Sequence, residues 1–111
     1  MQYLAIYKPD KIPAGPPSSE HMAQMGVFVE QSMKNGTLLS TGSISAAASG
    51  ARIHLHNGKL TVLDGAGSEG KAMAGFAILQ TKAKEEMIEL VAQFLKLAGE
   101  GESEVHQLNE F

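Results

Sequence analysis

The sequence contains no cysteine. That excludes a disulfide scaffold, a thiol nucleophile and any cysteine-ligated metal site. It also suits a reducing compartment, and a cytoplasmic location is the expectation. An excess of one charge is missing as well. Nine basic residues stand against twelve acidic ones, the formal charge is -3, and no long run carries one sign. Neutralising nucleic-acid phosphates takes a basic surface, so no nucleic-acid partner is predicted. No apolar stretch approaches the roughly 18 residues of a membrane-spanning helix. The opening Met1-Gln2-Tyr3-Leu4-Ala5-Ile6-Tyr7-Lys8 has no basic start followed by an apolar core and a cleavage site. It reads as a strand rather than as a signal peptide.

What is present is enough for one domain, 1–111. Apolar residues make up 43% of the 111 and charged residues 19%, a balance that builds a core rather than a disordered chain. Residues 2–7 read as a first strand ended by Pro9, and 8–17 as a proline-rich loop. Ser18 and Ser19 offer N-caps for a helix over 18–35, with Met22, Met25, Val29 and Met33 at helical spacing and Phe28 beside them. Asn35-Gly36 stops it, because glycine accepts the left-handed conformation found after a helix end. Residues 37–42 read as a second strand.

A hairpin comes next. Arg52-Ile53-His54-Leu55-His56 alternates polar and apolar residues, Asn57-Gly58 suits a two-residue turn with positive φ at both positions, and Lys59 to Leu63 returns. Residues 64–71 form a glycine-rich loop, and 73–80 a further strand. A second helix covers about 83–98, with Met87, Leu90, Val91, Phe94 and Leu95 as its core stripe, joined by Ile88 and Ala98. Gly99 closes it, and 104–108 is the last strand.

The order is β-α-β, hairpin, β-α-β. With the hairpin set aside, this is an α+β, ferredoxin-like plait: an antiparallel sheet with two helices on one face. The other face still receives apolar side chains, because strand residues alternate. A second copy of the chain is the simplest cover, so a homodimer is predicted.

Several residues together resemble the YCII-related family in its DGPF-type branch. They are the apolar start Tyr3 to Tyr7, then Phe28, Asn35-Gly36-Thr37-Leu38-Leu39 and Gly42. Asn57-Gly58-Lys59 follows, with Val62, Asp64 and Gly65, then Glu69 and Lys71, Gly75-Phe76, and Gly99, Gly101, Glu104 and Val105. The naming motif departs from the family: Asp-Gly-Pro-Phe stands here as Asp64-Gly65-Ala66-Gly67. The resemblance implies a dimeric α/β barrel with a cleft between sheet and helices. It also implies His–Asp chemistry on small compounds, aromatic ones included.

On that basis His21 and Asp64 are the candidate catalytic pair. His21 resembles a histidine found near the start of this helix in the wider YCII group. A neutral imidazole accepts a proton near pH 7, which suits a general base. Asp64 is placed to orient an imidazole or to hold a substrate hydroxyl, and equally to cap the turn it opens. Glu69, Lys71 and Ser43 are the candidate substrate-binding residues. Glu69 and Lys71 are alternatively a surface ion pair.

The loop of Gly65, Gly67 and Gly70 matches no phosphate-binding spacing and leads into a strand, so no helix N-terminus faces a phosphate. His54 and His56 share a strand face, but a metal would need a third ligand such as His21 or His106, and none is placed nearby. No metal and no cofactor are predicted. Two functions are therefore expected to compete. One is a cofactor-independent enzyme performing proton transfer, isomerisation or elimination on a small hydroxylated or aromatic compound. The other is a non-catalytic ligand-binding or regulatory module using the same pocket.

Overall fold

A computed structural model describes residues 1–11, 17–45, 49–65 and 73–109. Its elements run β1 (Gln2–Pro9), α1 (Ser19–Lys34), β2 (Leu38–Ser43), β3 (Ala51–His56), β4 (Lys59–Asp64), β5 (Gly75–Gln80), α2 (Lys84–Ala98) and β6 (Gly101–Leu108). Four strands form one antiparallel sheet in the order β2-β5-β1-β6, and β3 and β4 pair only with each other. This small α+β architecture is compatible with a ferredoxin-like fold. The last strand begins at Gly101, earlier than the sequence pattern places it, because Glu102 and Ser103 pair with Lys8 and Tyr7. Pro9 stays in β1 although it has no N–H to give. β5 has already ended opposite Tyr7, so Pro9 meets a neighbour only on the β6 side.

Register separates the two faces of the sheet. Tyr3, Ala5 and Tyr7 lie opposite Leu79, Ala77 and Gly75 on β5 and opposite Gln107, Val105 and Ser103 on β6. Tyr3, Ala5 and Leu79 join Leu38 and Met87 in the buried cluster, with Val29, Leu90 and Val91 packed against it. Both helices therefore cover this face. The opposite face carries Leu4, Ile6, Phe76, Ile78 and Leu108, all half-buried. Gly42 allows the Phe76 ring to lie on that side, since an added Cβ would stand 2.9 Å from its Cε1.

Helix ends follow their chemistry. Ser18 is the N-cap of α1, its hydroxyl accepting the His21 backbone N–H at 3.1 Å. Asn35 ends the helix and Gly36 follows at φ 82°. The inward stripe of α1 is Met25, Phe28, Val29 and Ser32. Met22 and Met33, expected on that stripe, are exposed, as is Ile88 on α2. Helical spacing alone leaves the rotation of a stripe undetermined by about one residue, and packing on the sheet selects the row centred on Val29.

Candidate functional site

The helix-covered side of the sheet grades from large to small side chains. At one end Tyr3, Leu79 and Leu38 fill the space beneath the helices. Two residues further along β1 and β5, and three along β2 across its register shift, come Ala5, Ala77 and Thr41, and two beyond those Tyr7, Gly75 and Ser43. Tyr7 still meets Phe94 of α2, but the smaller groups beside it do not fill the space below the helices, and a partly open cavity of about 440 Å³ remains. Its roof is Met25, Phe28, Val29 and Ser32 of α1 with Leu90, Val91 and Phe94 of α2. Ser103 adds a hydroxyl from β6.

Three aromatic rings stand along its wall. Tyr7 and Phe94 meet edge to face, with centroids 5.4 Å apart and planes at 89°. Phe28 lies 6.5 Å from Phe94 at a 40° tilt. Such walls favour a flat apolar guest.

Among the described lining residues Tyr7 is the one with an ionisable side chain. Its phenol donates to the Gly99 carbonyl at 3.0 Å, closing the C-terminal end of α2. Burial, and secondarily the charge of Asp10, raise its pKa above the ordinary phenol value. The hydroxyl therefore stays protonated at neutral pH, and its oxygen keeps lone pairs for a ligand donor. Thr41 donates its hydroxyl to the Phe76 carbonyl at 2.8 Å, which fixes that side chain at the β2 rim.

Of the candidate residues, Ser43 lines this cavity, at the last position of β2. His21 sits half-buried in the first turn of α1, held through its backbone N–H by Ser18, and does not line it. Asp64 is the exposed last residue of β4, opposite Ala51. Among the described residues no hydrogen bond or ion pair joins His21 to Asp64. Glu69 and Lys71 lie outside the described residues. His54 and His56 share one exposed face of the β3–β4 ribbon with Thr61 and Lys59 opposite them. Among the described residues no three His, Asp or Glu side chains are grouped to hold a metal ion.

A polar cluster marks the outer face at the β6 edge. Lys8 Nζ lies 3.0 Å from Glu104 Oε2, and His106 Nε2 lies 3.4 Å from Glu104 Oε1. Lys8, by hydrogen bond and then by charge, holds the Glu104 carboxyl below its ordinary pKa.

Sequence reasoning missed Tyr7, Phe28 and Phe94 as site residues because aromatics on an apolar stripe read as core. The available signal lay opposite them, in the run of Ala5, Gly75 and Ala77, which are too small to meet the two helices. The sequence matches no protein-family model, and no curated protein is significantly similar to it.

Proposed function

We propose that this protein is a small-molecule-binding homodimer of the YCII-related, DGPF type, a ferredoxin-like dimeric α/β barrel that holds a compact neutral compound, aromatic or hydroxylated, between its sheet and helices. The observation that carries this reading is the cavity itself. Its volume of about 440 Å³ falls within the range of small-ligand sites. Its walls are apolar and aromatic, with hydroxyls from Tyr7, Ser43 and Ser103 to orient a polar group. No described lining residue carries a charge at neutral pH, so a carboxylate guest would lose its hydration without gaining a counter-ion. This favours a binding or regulatory module over an acid–base enzyme, because the catalytic reading needs His21 and Asp64 at one cavity and neither lines this one.

The dimer is supported by the outer sheet face. Leu4, Ile6, Phe76 and Ile78 form an apolar strip there, and Lys8, Glu104 and His106 give it a polar border of the kind that rims stable interfaces. Contact across this face would bury more than about 1,200 Å².

The test is an NMR titration with neutral aromatic alcohols and their carboxylate counterparts. Neutral compounds are expected to shift the Phe28, Phe94, Val29 and Leu90 side-chain signals, and carboxylates to bind more weakly. The reading fails if no compound moves those signals, or if the shifts gather instead at His21 and Asp64.

A further inference from the structure

The β3–β4 ribbon stands away from the rest of the chain. Every residue from 51 to 64 is exposed, and neither strand joins the main sheet. The radius of gyration is 16.0 Å, against about 13 Å for a compact chain of this length. The turn is well specified, with Asn57 at φ 51° and Gly58 at φ 76° as a two-residue hairpin requires. Nature of the sequence and exposure conflict, however. Ile53 lies opposite Val62 and Leu55 opposite Leu60, which puts all four on one face. They are 68%, 64%, 69% and 67% exposed in that order. The other face presents Arg52, His54, His56, Lys59 and Thr61, with Leu63 opposite Arg52. An isolated two-stranded ribbon is marginal in water, and three strands or a packed apolar face are needed to hold one.

We propose that this ribbon is a docking arm whose Ile53, Leu55, Leu60 and Val62 face closes over a second copy of this chain. Area selects that occupant. Four side chains at this exposure present about 430 Å² of apolar surface per arm, and two arms with the surfaces they meet would bury about 1,700 Å², inside the range of stable protein interfaces. The arm's cations, Arg52 and Lys59, lie on its other face and are left in water by this contact. A two-fold axis lets each copy give one arm and receive one, which makes the contact self-complementary. The arm shares with the proposed homodimer only the identity of the partner; the sheet-face contact and the cavity are separate surfaces, and either can fail alone.

The experiment is sedimentation velocity over a dilution series from about 100 µM to about 0.1 µM. It compares the wild type with a variant carrying Ile53→Thr, Leu55→Thr, Leu60→Thr and Val62→Thr. Threonine keeps strand propensity while removing the apolar face. The wild type is expected to be a dimer, and the variant's dissociation constant to rise at least about 100-fold. Amide hydrogen exchange on the wild type supplies a readout free of any folding defect. Residues 51–64 should exchange more slowly at the high end of the series than at the low end. A dimer that the four substitutions leave intact overturns the arm while leaving the sheet-face contact standing. Equal exchange of the arm at both concentrations overturns it too. So does a wild-type chain that stays monomeric, including one that instead sediments with anionic lipid vesicles.

Discussion

Replacing Ala77 by leucine tests the cavity most directly. Ala77 lies on the helix-covered face between Ala5 on β1 and Thr41 on β2, and it forms part of the cavity floor. Three added carbon atoms would enter empty space rather than displace packed side chains. At about 0.8 kcal/mol per buried methylene the gross gain is about 2.4 kcal/mol. Ordering the leucine side chain returns about 0.5–1 kcal/mol. The expected net stabilisation is therefore about 1.5 kcal/mol. For 111 residues the unfolding entropy is about 230 cal/mol/K, so Tm should rise by about 6 °C. The same substitution should weaken binding of a neutral fluorescent probe such as Nile red at least about tenfold. Differential scanning calorimetry and a fluorescence titration read the two effects. Overpacking a filled core costs about 1–3 kcal/mol, so a lowered Tm would show that the space is not empty and would refute the reasoning. A raised Tm with unchanged probe binding would keep the void but move the ligand elsewhere.

Three further outcomes follow from the same geometry. Tyr7→Phe removes the hydrogen bond to the Gly99 carbonyl and should cost about 0.5–1.5 kcal/mol near neutral pH. Because the folded-state pKa of Tyr7 is raised, the neutral phenol's contribution is complete below the ordinary value of about 10 and is lost as pH rises through the folded value. The Tm difference between wild type and variant should therefore shrink in alkaline buffer, and a difference that grows there would contradict the assignment. Gly101→Ala places a Cβ 2.6 Å from the Lys8 carbonyl oxygen and 2.8 Å from Pro9 Cα, both backbone atoms of the paired strand. Thermal unfolding should show a loss of about 1–3 kcal/mol, and an unchanged Tm would mean that the β1–β6 pairing yields there. Ser18→Ala should cost about 1 kcal/mol by freeing the His21 backbone N–H, and Ser18→Asp should restore most of it; equal stability of the three proteins in urea would remove the cap from the account.

The order of elements was legible because each carries a local signal strong enough to survive packing. Ser18 and Asn35-Gly36 bracket α1, Asn57-Gly58 closes the ribbon, and alternation from Tyr3 to Tyr7 puts every second residue under the helices. What packing alone decides was not legible. Met22 and Met33 have the same spacing and the same hydrophobicity as Met25 and Val29, and only contact with the sheet separates them. Ile88 is exposed for the same reason, one step around α2 from the buried Met87. The earlier start of β6 at Gly101 has a similar cause. A glycine followed by Glu102 has no strand signal of its own, and pairing with Lys8 and Pro9 imposes the extended form.

The candidate site was less legible because the residues with conspicuous chemistry lie away from the cavity. His21 and Asp64 are the residue types that move protons, yet one is on the first turn of α1 and the other on the projecting ribbon. The cavity is instead made by what is small. Ala5, Ala77 and Gly75 follow Tyr3 and Leu79 along the same register, so the sheet loses height toward one end while the two helices continue above it. Phe28 and Phe94 then wall a space that leucine or valine on the floor would fill. A protein under selection for stability alone gains by filling such a space, at about 0.8 kcal/mol per methylene. Small residues on three neighbouring strands leave it open in concert, while Tyr7 at its edge spends its hydroxyl proton on the end of α2 and turns its ring to the interior. That combination of rigid aromatic wall, low floor and neutral hydroxyls is the physical basis for reading the cavity as a binding site and not as a packing defect.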